Sequence, residues 1–267
     1  MIKTILLGII QGLTEFLPVS SSGHLVLAQH FFSKGEFSTD LTLEIFLHLG
    51  SLVAVIIYFR KDLLKLCLSC FKWDKSPETN SLHRQVYYLL AATFVTGVIG
   101  ILFEDIIEKL FSNALYVAVL LIITGLILYI SDKIKVGKLQ VDELGFPRSL
   151  IIGLGQAFAI APGISRSGTT IAFSLFTGMK RDEAARFSFL LSIPVILGAN
   201  LLKIKELFAL NGSQLIEYSI GCAAAFISGI LVISLLLQMI KKANLKYFAY
   251  YCWLVSLLTI IFILIGR

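Results

Sequence analysis

Long apolar stretches, separated by short polar segments, run along nearly the whole chain. A stretch of about 17–25 apolar residues is long enough to cross a bilayer as an α-helix. Six segments have this length, near residues 41–59, 86–103, 115–130, 186–202, 218–238 and 247–265. The pattern therefore predicts six membrane-spanning helices, joined by loops too short to form a separate soluble domain.

Two further apolar segments, 1–32 and 148–178, are interrupted by turn-forming residues. Pro18 ends the first half-helix of one segment, and the pair Pro162-Gly163 ends that of the other. Non-helical backbone at membrane depth is tolerated only where protein buries it or where it lines a water-filled cavity. Each segment is therefore predicted to form a re-entrant helical hairpin, and the two tips are predicted to meet near the bilayer centre.

The two hairpins contain a duplicated pattern. Residues 8–24 read GIIQGLTEFLPVSSSGH, and residues 153–169, which begin 145 positions later, read GLGQAFAIAPGISRSGT. The groups that differ are as informative as those that match, because Glu15 aligns with Ile160, Ser21 with Arg166 and His24 with Thr169. The residues identical in the two copies are Gly8/Gly153, Gln11/Gln156, Ser20/Ser165, Ser22/Ser167 and Gly23/Gly168. Two related half-sites therefore supply different chemical groups to one place.

A common plan for the two halves follows from this duplication. Each hairpin precedes three full spans, and a second match aligns residues 46–55 with 187–196, placing Ser51 on Ser192. Because three is odd, the second half enters the membrane from the opposite face. The predicted fold is an all-α integral membrane protein with an inverted-topology repeat. It forms one polytopic domain, with repeat 1 at about 1–131 and repeat 2 at about 146–267.

Composition and charge agree with this picture. Hydrophobic residues make up 57% of the 267 residues, charged residues make up 15%, and the net charge is +6. If the segment before residue 41 lies outside, then 16 of the 23 Lys and Arg fall in inside loops. This excess of Lys and Arg in the inside loops accounts for the net positive charge, so no nucleic-acid partner is predicted. It also predicts that the first hairpin enters from outside and that the C-terminus lies outside.

The hairpin tips have the composition of an anion site. Two half-helix N-termini in one cavity present unpaired N–H groups and positive dipole ends. The serines Ser20, Ser21, Ser22 and Ser165 are suited to capping these helices. Arg166 adds a planar cation that matches phosphate oxygens in bidentate fashion. The alternative is an Arg166 that pairs with Glu15 only to hold the hairpins together, and the two roles are compatible.

The first hairpin also carries acid–base and nucleophilic groups. Gln11 and Glu15 are four residues apart and share a helix face, where a carboxylate can bind a hard divalent cation or act as a general base. His24 follows Ser21 by three residues, and Ser, His and carboxylate together can activate a nucleophile. A single structural ion pair at Glu15 and a hydrogen-bonded packing role for His24 are the structural alternatives. His48, in the first full span, either lines the same cavity or has a buried structural role.

The motifs QGLTEFLPVSSSGHL at 11–25 and APGISRSGTT at 161–170 resemble the two signature motifs of the undecaprenyl-diphosphate phosphatase (bacitracin-resistance) family. Length and hydrophobic pattern fit over essentially the whole chain. The resemblance implies a multi-pass enzyme of the bacterial inner membrane that hydrolyses undecaprenyl diphosphate to the monophosphate lipid carrier. That recycling serves peptidoglycan synthesis, and thereby cell-wall biogenesis and cell shape, and it opposes the antibiotic bacitracin.

The resemblance also implies roles for particular residues. The family's acidic motif falls on Gln11 and Glu15, where many members have Glu in place of Gln11. Its second motif falls on the run from Pro162 to Thr170. The implied catalytic residues are Glu15, Ser21, His24 and Arg166, and the implied substrate-binding residues are Gln11, Ser20, Ser22, Ser165, Ser167 and Thr170. A divalent cation, Mg²⁺ or Ca²⁺, is implied, either held by Glu15 or brought by the diphosphate.

Several alternatives stay open at this point. The favoured nucleophile is Ser21, with His24 as base and Glu15 orienting His24 or holding the metal. Attack by His24 itself, or by an activated water, is also compatible with the motifs. A lipid-carrier flippase or transporter that uses the same midplane anion site is the alternative function, because inverted repeats with broken helices are typical of alternating access. The expected partners are undecaprenyl diphosphate, the lipid bilayer and a possible second copy of the chain.

Overall fold

The computed structural model describes residues 1–32, 40–72, 74, 76–135, 137–205, 210–242 and 244–265, and residues 241–242 by their backbone alone. Within these ranges the chain forms twelve α-helices and one 3₁₀ helix, and its only strand-like pairing is an isolated bridge between Leu139 and Met179. The first half contains α1 (Ile2–Phe16), α2 (Ser21–Phe32), α3 (Leu41–Tyr58), α4 (Arg60–Ser69), α5 (Pro77–Leu102), α6 (Glu104–Phe111) and α7 (Ala114–Asp132). The 3₁₀ helix Val141–Glu143 precedes α8 (Phe146–Phe158), α9 (Arg166–Phe176), α10 (Arg181–Leu202), α11 (Gly212–Lys242) and α12 (Lys246–Ile265). The prediction of an all-α fold is confirmed.

Six helices are long and apolar enough to cross a membrane, and they are α3, α5, α7, α10, α11 and α12. These are the six predicted spans, so the protein is a multi-pass membrane protein. Three of the helices, α5, α10 and α11, begin at least five residues earlier than predicted. Helix α5 starts at Pro77, because the Ser76 side chain accepts a hydrogen bond from the Thr79 N–H and Pro is favoured in the first turn. Helix α11 starts at Gly212, since a helix continues into polar sequence beyond the apolar core.

The order of elements is the same in the two halves. A pair of short helices, α1–α2 or α8–α9, comes first, and three spans follow. The halves interlock, because α1 packs on α11, α8 packs on α5, and α7 pairs with α12. Each hairpin thus lies against the middle span of the other half. This arrangement supports the division into repeats at about 1–131 and 146–267, which remains a prediction.

Glycines allow the first helix of each hairpin to approach its partner span closely. A Cβ on Gly12 would lie 2.0 Å from Ser228 Oγ and 2.3 Å from the Ala225 carbonyl oxygen, both on α11. A Cβ on Gly153 would lie 2.7 Å from the Ala92 carbonyl oxygen on α5. Small residues at such crossings are typical of helix packing in membranes. They bring the broken helices into the interior, where the tips are buried.

The core beneath the tips is aromatic and apolar. Phe16, Phe187 and Phe189 are fully buried, and the Phe16 and Phe189 rings meet edge to face with centroids 5.8 Å apart. Edge-to-face packing satisfies the ring quadrupoles while it excludes water. Phe16 ends α1 directly before the first turn, so this cluster fixes the depth of the first tip.

Candidate active site at the two hairpin tips

The turns of the two hairpins are in direct contact. Ser20 Oγ accepts a hydrogen bond of 3.1 Å from the Gly163 N–H, and Ser167 Oγ donates one of 2.9 Å to the Leu17 carbonyl. A Cβ on Gly23 would lie 2.9 Å from the Gly163 Cα. The expectation that the tips meet is confirmed, and the backbones are as close as a glycine contact allows.

Matching serines cap the two inner helices. Ser20 Oγ accepts from the Gly23 N–H at 3.3 Å, and Ser165 Oγ accepts from the Gly168 N–H at 3.0 Å. These four residues are identical pairs in the duplicated pattern, so the capping prediction is confirmed for Ser20 and Ser165. The caps fix where α2 and α9 begin, and thereby place Ser21 and Arg166 in their first turns.

The turns themselves need unusual backbone angles. Ser20 has φ +70° and Gly163 has φ +100°. The left-handed region disfavours a residue with a Cβ, so Ser20 is a strained position held by its surroundings. Its side chain gives the reason, since one Oγ accepts both the Gly23 and the Gly163 N–H groups.

Thr124 of α7 holds the second turn and was missed by sequence reasoning. Its Oγ1 donates to the Gly163 carbonyl at 2.7 Å and accepts from the Ser165 N–H at 3.0 Å. A single hydroxyl thus satisfies two backbone groups that no helix can satisfy. A threonine within an apolar span gives no signal of this role.

Glu15 lies at the centre of the candidate site. Its carboxylate is buried and accepts from Ser21 Oγ at 2.5 Å and from Gln11 Nε2 at 2.8 Å. The other carboxylate oxygen forms an ion pair with Arg166 Nη2. The pairing of Arg166 with Glu15, which the sequence analysis held as the structural alternative, is present across the two tips. A buried carboxylate that accepts from a serine hydroxyl is placed to take its proton.

Arg166 retains unused hydrogen-bonding capacity. Its side chain is 14% exposed, and its Nη1 is buried with no hydrogen-bond partner within the described part of the chain. An unsatisfied guanidinium nitrogen in a buried position is costly unless a ligand completes it. The free nitrogen and the first turns of α2 and α9 therefore point to an anion.

His24 lies elsewhere than expected. Its Nδ1 is 2.7 Å from the Ser20 carbonyl oxygen, and its Nε2 is 3.0 Å from the Tyr251 hydroxyl of α12. Over the described ranges no hydrogen bond joins His24 to Ser21 or to Glu15, so the expected orientation of His24 by Glu15 is absent. The physical reason is the helical start at Ser21, which turns the ring back onto the Ser20 carbonyl.

His48 is the histidine beside the carboxylate. Its Nε2 is 3.4 Å from Glu15 Oε2, and its Nδ1 is 2.8 Å from the Glu44 carbonyl oxygen one helical turn earlier. Of the two interpretations of His48, the structure supports the one that places it at the site. Ser51, which the second internal match singled out without a role, accepts from Gln11 Nε2 at 3.3 Å.

The remaining predicted hydroxyls join the tips to each other and to the core. Ser165 and Ser167 place their Oγ atoms 3.3 Å apart, and Ser20 and Ser22 place theirs 3.5 Å apart. Thr170 donates to the Arg166 carbonyl at 2.8 Å and contacts Ser188. These bonds are structural, and a substrate-binding role for the same residues remains a prediction.

The donor set does not fit a metal ion held by the protein alone. In the part of the chain that the structure describes, no group of three or more His, Cys, Asp and Glu side chains is arranged to hold one. Glu15 is already in contact with Arg166, Ser21, Gln11 and His48. Hard divalent cations need six or more oxygen ligands, of which this site offers few.

Fold and site together define a multi-pass membrane protein with a carboxylate, a serine hydroxyl and a guanidinium buried where two half-membrane hairpins meet. The family model described as bacitracin resistance protein BacA matches residues 4–258, and the chain belongs to this family.

Relatives of the chain cover nearly its whole length. The undecaprenyl-diphosphatase of Halothermothrix orenii is 45% identical over 97% of this chain and 96% of its own. The undecaprenyl-diphosphatase of Methanobrevibacter smithii is 43% identical over 96% of this chain and 95% of its own. Undecaprenyl-diphosphatase 1 of Shouchella clausii is 41% identical over 98% and 96%.

Proposed function

We propose that this protein hydrolyses undecaprenyl diphosphate to undecaprenyl phosphate and inorganic phosphate. The names of its relatives support this substrate. The structural observation that carries the proposal is the buried Nη1 of Arg166, which has no hydrogen-bond partner among the described residues. The same guanidinium pairs with Glu15, which accepts a hydrogen bond from Ser21. A guanidinium beside a hydroxyl and a base is what phosphoryl transfer needs.

The proposed binding mode separates the two ends of the substrate. The diphosphate enters a cavity that is proposed to open between the tips, where Arg166 and the first-turn N–H groups of α2 and α9 neutralise its charge. The isoprenoid tail stays in the lipid between helices. Gln11, Ser22, Ser165, Ser167 and Thr170 are the proposed polar lining of this cavity.

Ser21 is the proposed nucleophile, with Glu15 as its base. Ser21 Oγ attacks the terminal phosphorus while its proton passes to Glu15 Oε2, which is 2.5 Å away. The bond from phosphorus to the bridging oxygen breaks, and undecaprenyl phosphate leaves. Water then attacks the phosphoserine, and the proton on Glu15 returns to Ser21 as inorganic phosphate departs. Attack by His24 or by water remains the alternative to Ser21.

A divalent cation, Mg²⁺ or Ca²⁺, is proposed to arrive with the diphosphate, as part of the substrate. Diphosphate oxygens supply the hard ligands that this cavity lacks. Glu15, the residue first considered as a ligand, is better suited to the role of base in this arrangement.

In the cell, this activity would return the lipid carrier to peptidoglycan synthesis and oppose bacitracin. The proposed location is the inner membrane, with the first hairpin entering from the outer face. A homodimer is compatible with this arrangement.

The first test is phosphate release from undecaprenyl diphosphate by the purified protein in detergent, with Mg²⁺ and then with EDTA. Arg166→Ala should lower the rate at least about 100-fold, because it removes charge from the transferring phosphoryl group. Arg60→Ala is the matched control, since Arg60 is exposed and, among the described residues, donates to the Ile57 carbonyl alone. Release that is equal in the Arg166 variant and in the control would exclude the proposed site.

Ser21→Ala separates the mechanisms. If Ser21 is the nucleophile, the variant should bind substrate and release essentially no phosphate. The unchanged protein should form a phosphoserine at Ser21, which is trapped by quenching the reaction with acid. Retention of most of the activity would assign the attack to His24 or to water.

A lipid-carrier flippase that uses the same anion site is the alternative function. It is favoured by the two similar halves, each with an interrupted hairpin followed by three spans, because repeats with broken helices are typical of alternating access. The flippase would be established in place of the phosphatase by one result. The folded protein would bind undecaprenyl diphosphate and release no phosphate from it, yet would move this lipid across the membrane of liposomes.

A further inference from the structure

The ring nitrogens of His24 are both engaged, and their partners determine its tautomer. A carbonyl oxygen only accepts, so Nδ1 must donate to the Ser20 carbonyl, 2.7 Å away. In a neutral ring the Nε2 then carries a lone pair, which accepts from the Tyr251 hydroxyl at 3.0 Å. When the ring takes up a proton beside a bound phosphate, Nε2 becomes an N–H donor that the Tyr251 oxygen and a phosphate oxygen share.

The two rings are also stacked. Their centroids are 5.6 Å apart and their planes are 5° from parallel, so Tyr251 restrains the ring plane as well as the tautomer. His24 belongs to the first hairpin and Tyr251 to α12, 227 residues later. The contact is thus a tertiary one, made by the last span of the chain.

Exposure rises from the carboxylate towards this pair. Glu15 is 5% exposed and Ser21 is 8% exposed, whereas Tyr251 is 43% exposed. The tail of a lipid diphosphate must reach the lipid, so its terminal phosphate enters deepest and its lipid-linked phosphate lies nearer the exposed side. The Ser21–Glu15–Arg166 cluster and the His24–Tyr251 pair are therefore placed for different phosphates.

We propose that Tyr251 is a positioning residue that fixes His24, and that the His24–Tyr251 pair contacts the phosphate that stays on the lipid. Arg166 and Ser21 then serve the terminal phosphate. This inference rests on the proposed phosphatase activity and adds to it an assignment of the two phosphate positions.

The test uses the two products as separate inhibitors of phosphate release by the full-length protein. Undecaprenyl phosphate reports the lipid-linked position, and inorganic phosphate reports the terminal position. Tyr251→Phe keeps the ring and removes the hydroxyl. Tyr250→Phe is the matched control, because the neighbouring ring contacts Tyr129 and Trp253 instead of His24.

Tyr251→Phe should lower kcat by about tenfold and weaken inhibition by undecaprenyl phosphate, while inhibition by inorganic phosphate stays unchanged. Arg166→Lys should have the opposite effect, because it should weaken inhibition by inorganic phosphate more than inhibition by undecaprenyl phosphate. The assignment would be overturned if Tyr251→Phe weakened inhibition by the two products equally, or if it left inhibition by both unchanged.

A double-variant comparison separates positioning from a structural role. With His24→Gln already present, Tyr251→Phe should cause no further loss of kcat, because its effect acts through His24. A further loss of the same size would overturn the positioning role. Absence of phosphate release by the unchanged protein would refute the phosphatase itself, whereas normal release with an unaffected Tyr251→Phe would refute this inference alone.

Discussion

At the scale of residues, the site depends on how one buried carboxylate is surrounded. Glu15 has a cation on one oxygen and a hydroxyl, an amide and an imidazole near the other. Gln11 is the amide, and its Nε2 donates while its Oε1 is buried with no partner in the described structure. The uncharged amide of Gln11 limits the negative charge of the site, because a carboxylate at this position would lie beside the carboxylate of Glu15.

Gln11→Glu should therefore increase the demand for a divalent cation. Two carboxylates within hydrogen-bonding distance stay ionised only when a proton or a cation lies between them. We expect near-normal phosphate release at saturating Mg²⁺ and a steeper fall as Mg²⁺ is withdrawn, measured by titration of the metal.

The matched control is Gln156→Glu, since Gln156 is the duplicated counterpart and faces the Thr96 hydroxyl at 2.9 Å. The control should leave the Mg²⁺ dependence unchanged. Identical Mg²⁺ titrations for Gln11→Glu and the unchanged protein would show that the charge at this position is not coupled to the cation.

At the scale of elements, each tip is a turn whose backbone groups lack helical partners and are satisfied by side-chain hydroxyls instead. Ser20 serves the first turn from within, whereas Thr124 serves the second from the neighbouring span. The short helices α2 and α9 then begin where the two tips meet. Their placement depends on these few bonds more than on helix propensity.

Thr124→Val should destabilise the second tip. The change keeps the shape of the side chain and leaves the Gly163 carbonyl and the Ser165 N–H buried without partners, which costs about 2–4 kcal/mol. We expect a lower apparent melting midpoint in detergent and a loss of phosphate release.

Thr259→Val serves as the control, because within the described parts of the chain the Thr259 hydroxyl donates to nothing but the Val255 carbonyl of its own helix. That variant should melt close to the unchanged protein. Equal melting midpoints for the two variants would mean that Thr124 does not hold the turn.

At the scale of the whole molecule, the two halves depend on each other through exchanged hairpins. Helix α1 packs on α11 and α8 packs on α5, so neither tip is complete within its own half. At the ends of the spans, ion pairs join separate elements, such as Asp62 with Arg186. At another end, hydrogen bonds to Glu108 and Glu104 raise the pKa of Lys203 above its ordinary value.

Gly12→Ala should disturb the whole assembly. The new Cβ would overlap Ser228 and the backbone of α11, and such overpacking costs about 1–3 kcal/mol. We expect a lower apparent melting midpoint together with reduced phosphate release, because α1 carries Gln11 and Glu15 on the same helix.

Gly97→Ala makes the same chemical change on α5, where a Cβ would meet nothing within 4 Å. It should be neutral, or should stabilise the helix by up to about 1 kcal/mol. If Gly12→Ala melted as high as Gly97→Ala, the close packing of α1 on α11 would not contribute to stability.

The sequence by itself determined the six spans, the two interrupted hairpins, the serine caps at Ser20 and Ser165, and the meeting of the hairpin tips that carry Glu15 and Arg166. These features follow from local apolar length, from the turn chemistry of Pro and Gly, and from a duplication that aligns equivalent positions. Only the tertiary structure decided that Glu15 contacts His48, that His24 contacts Tyr251, and that Thr124 holds the second turn. Those partners lie on separate elements, and which side chains meet depends on helix rotation and depth, which packing sets and local sequence patterns do not encode.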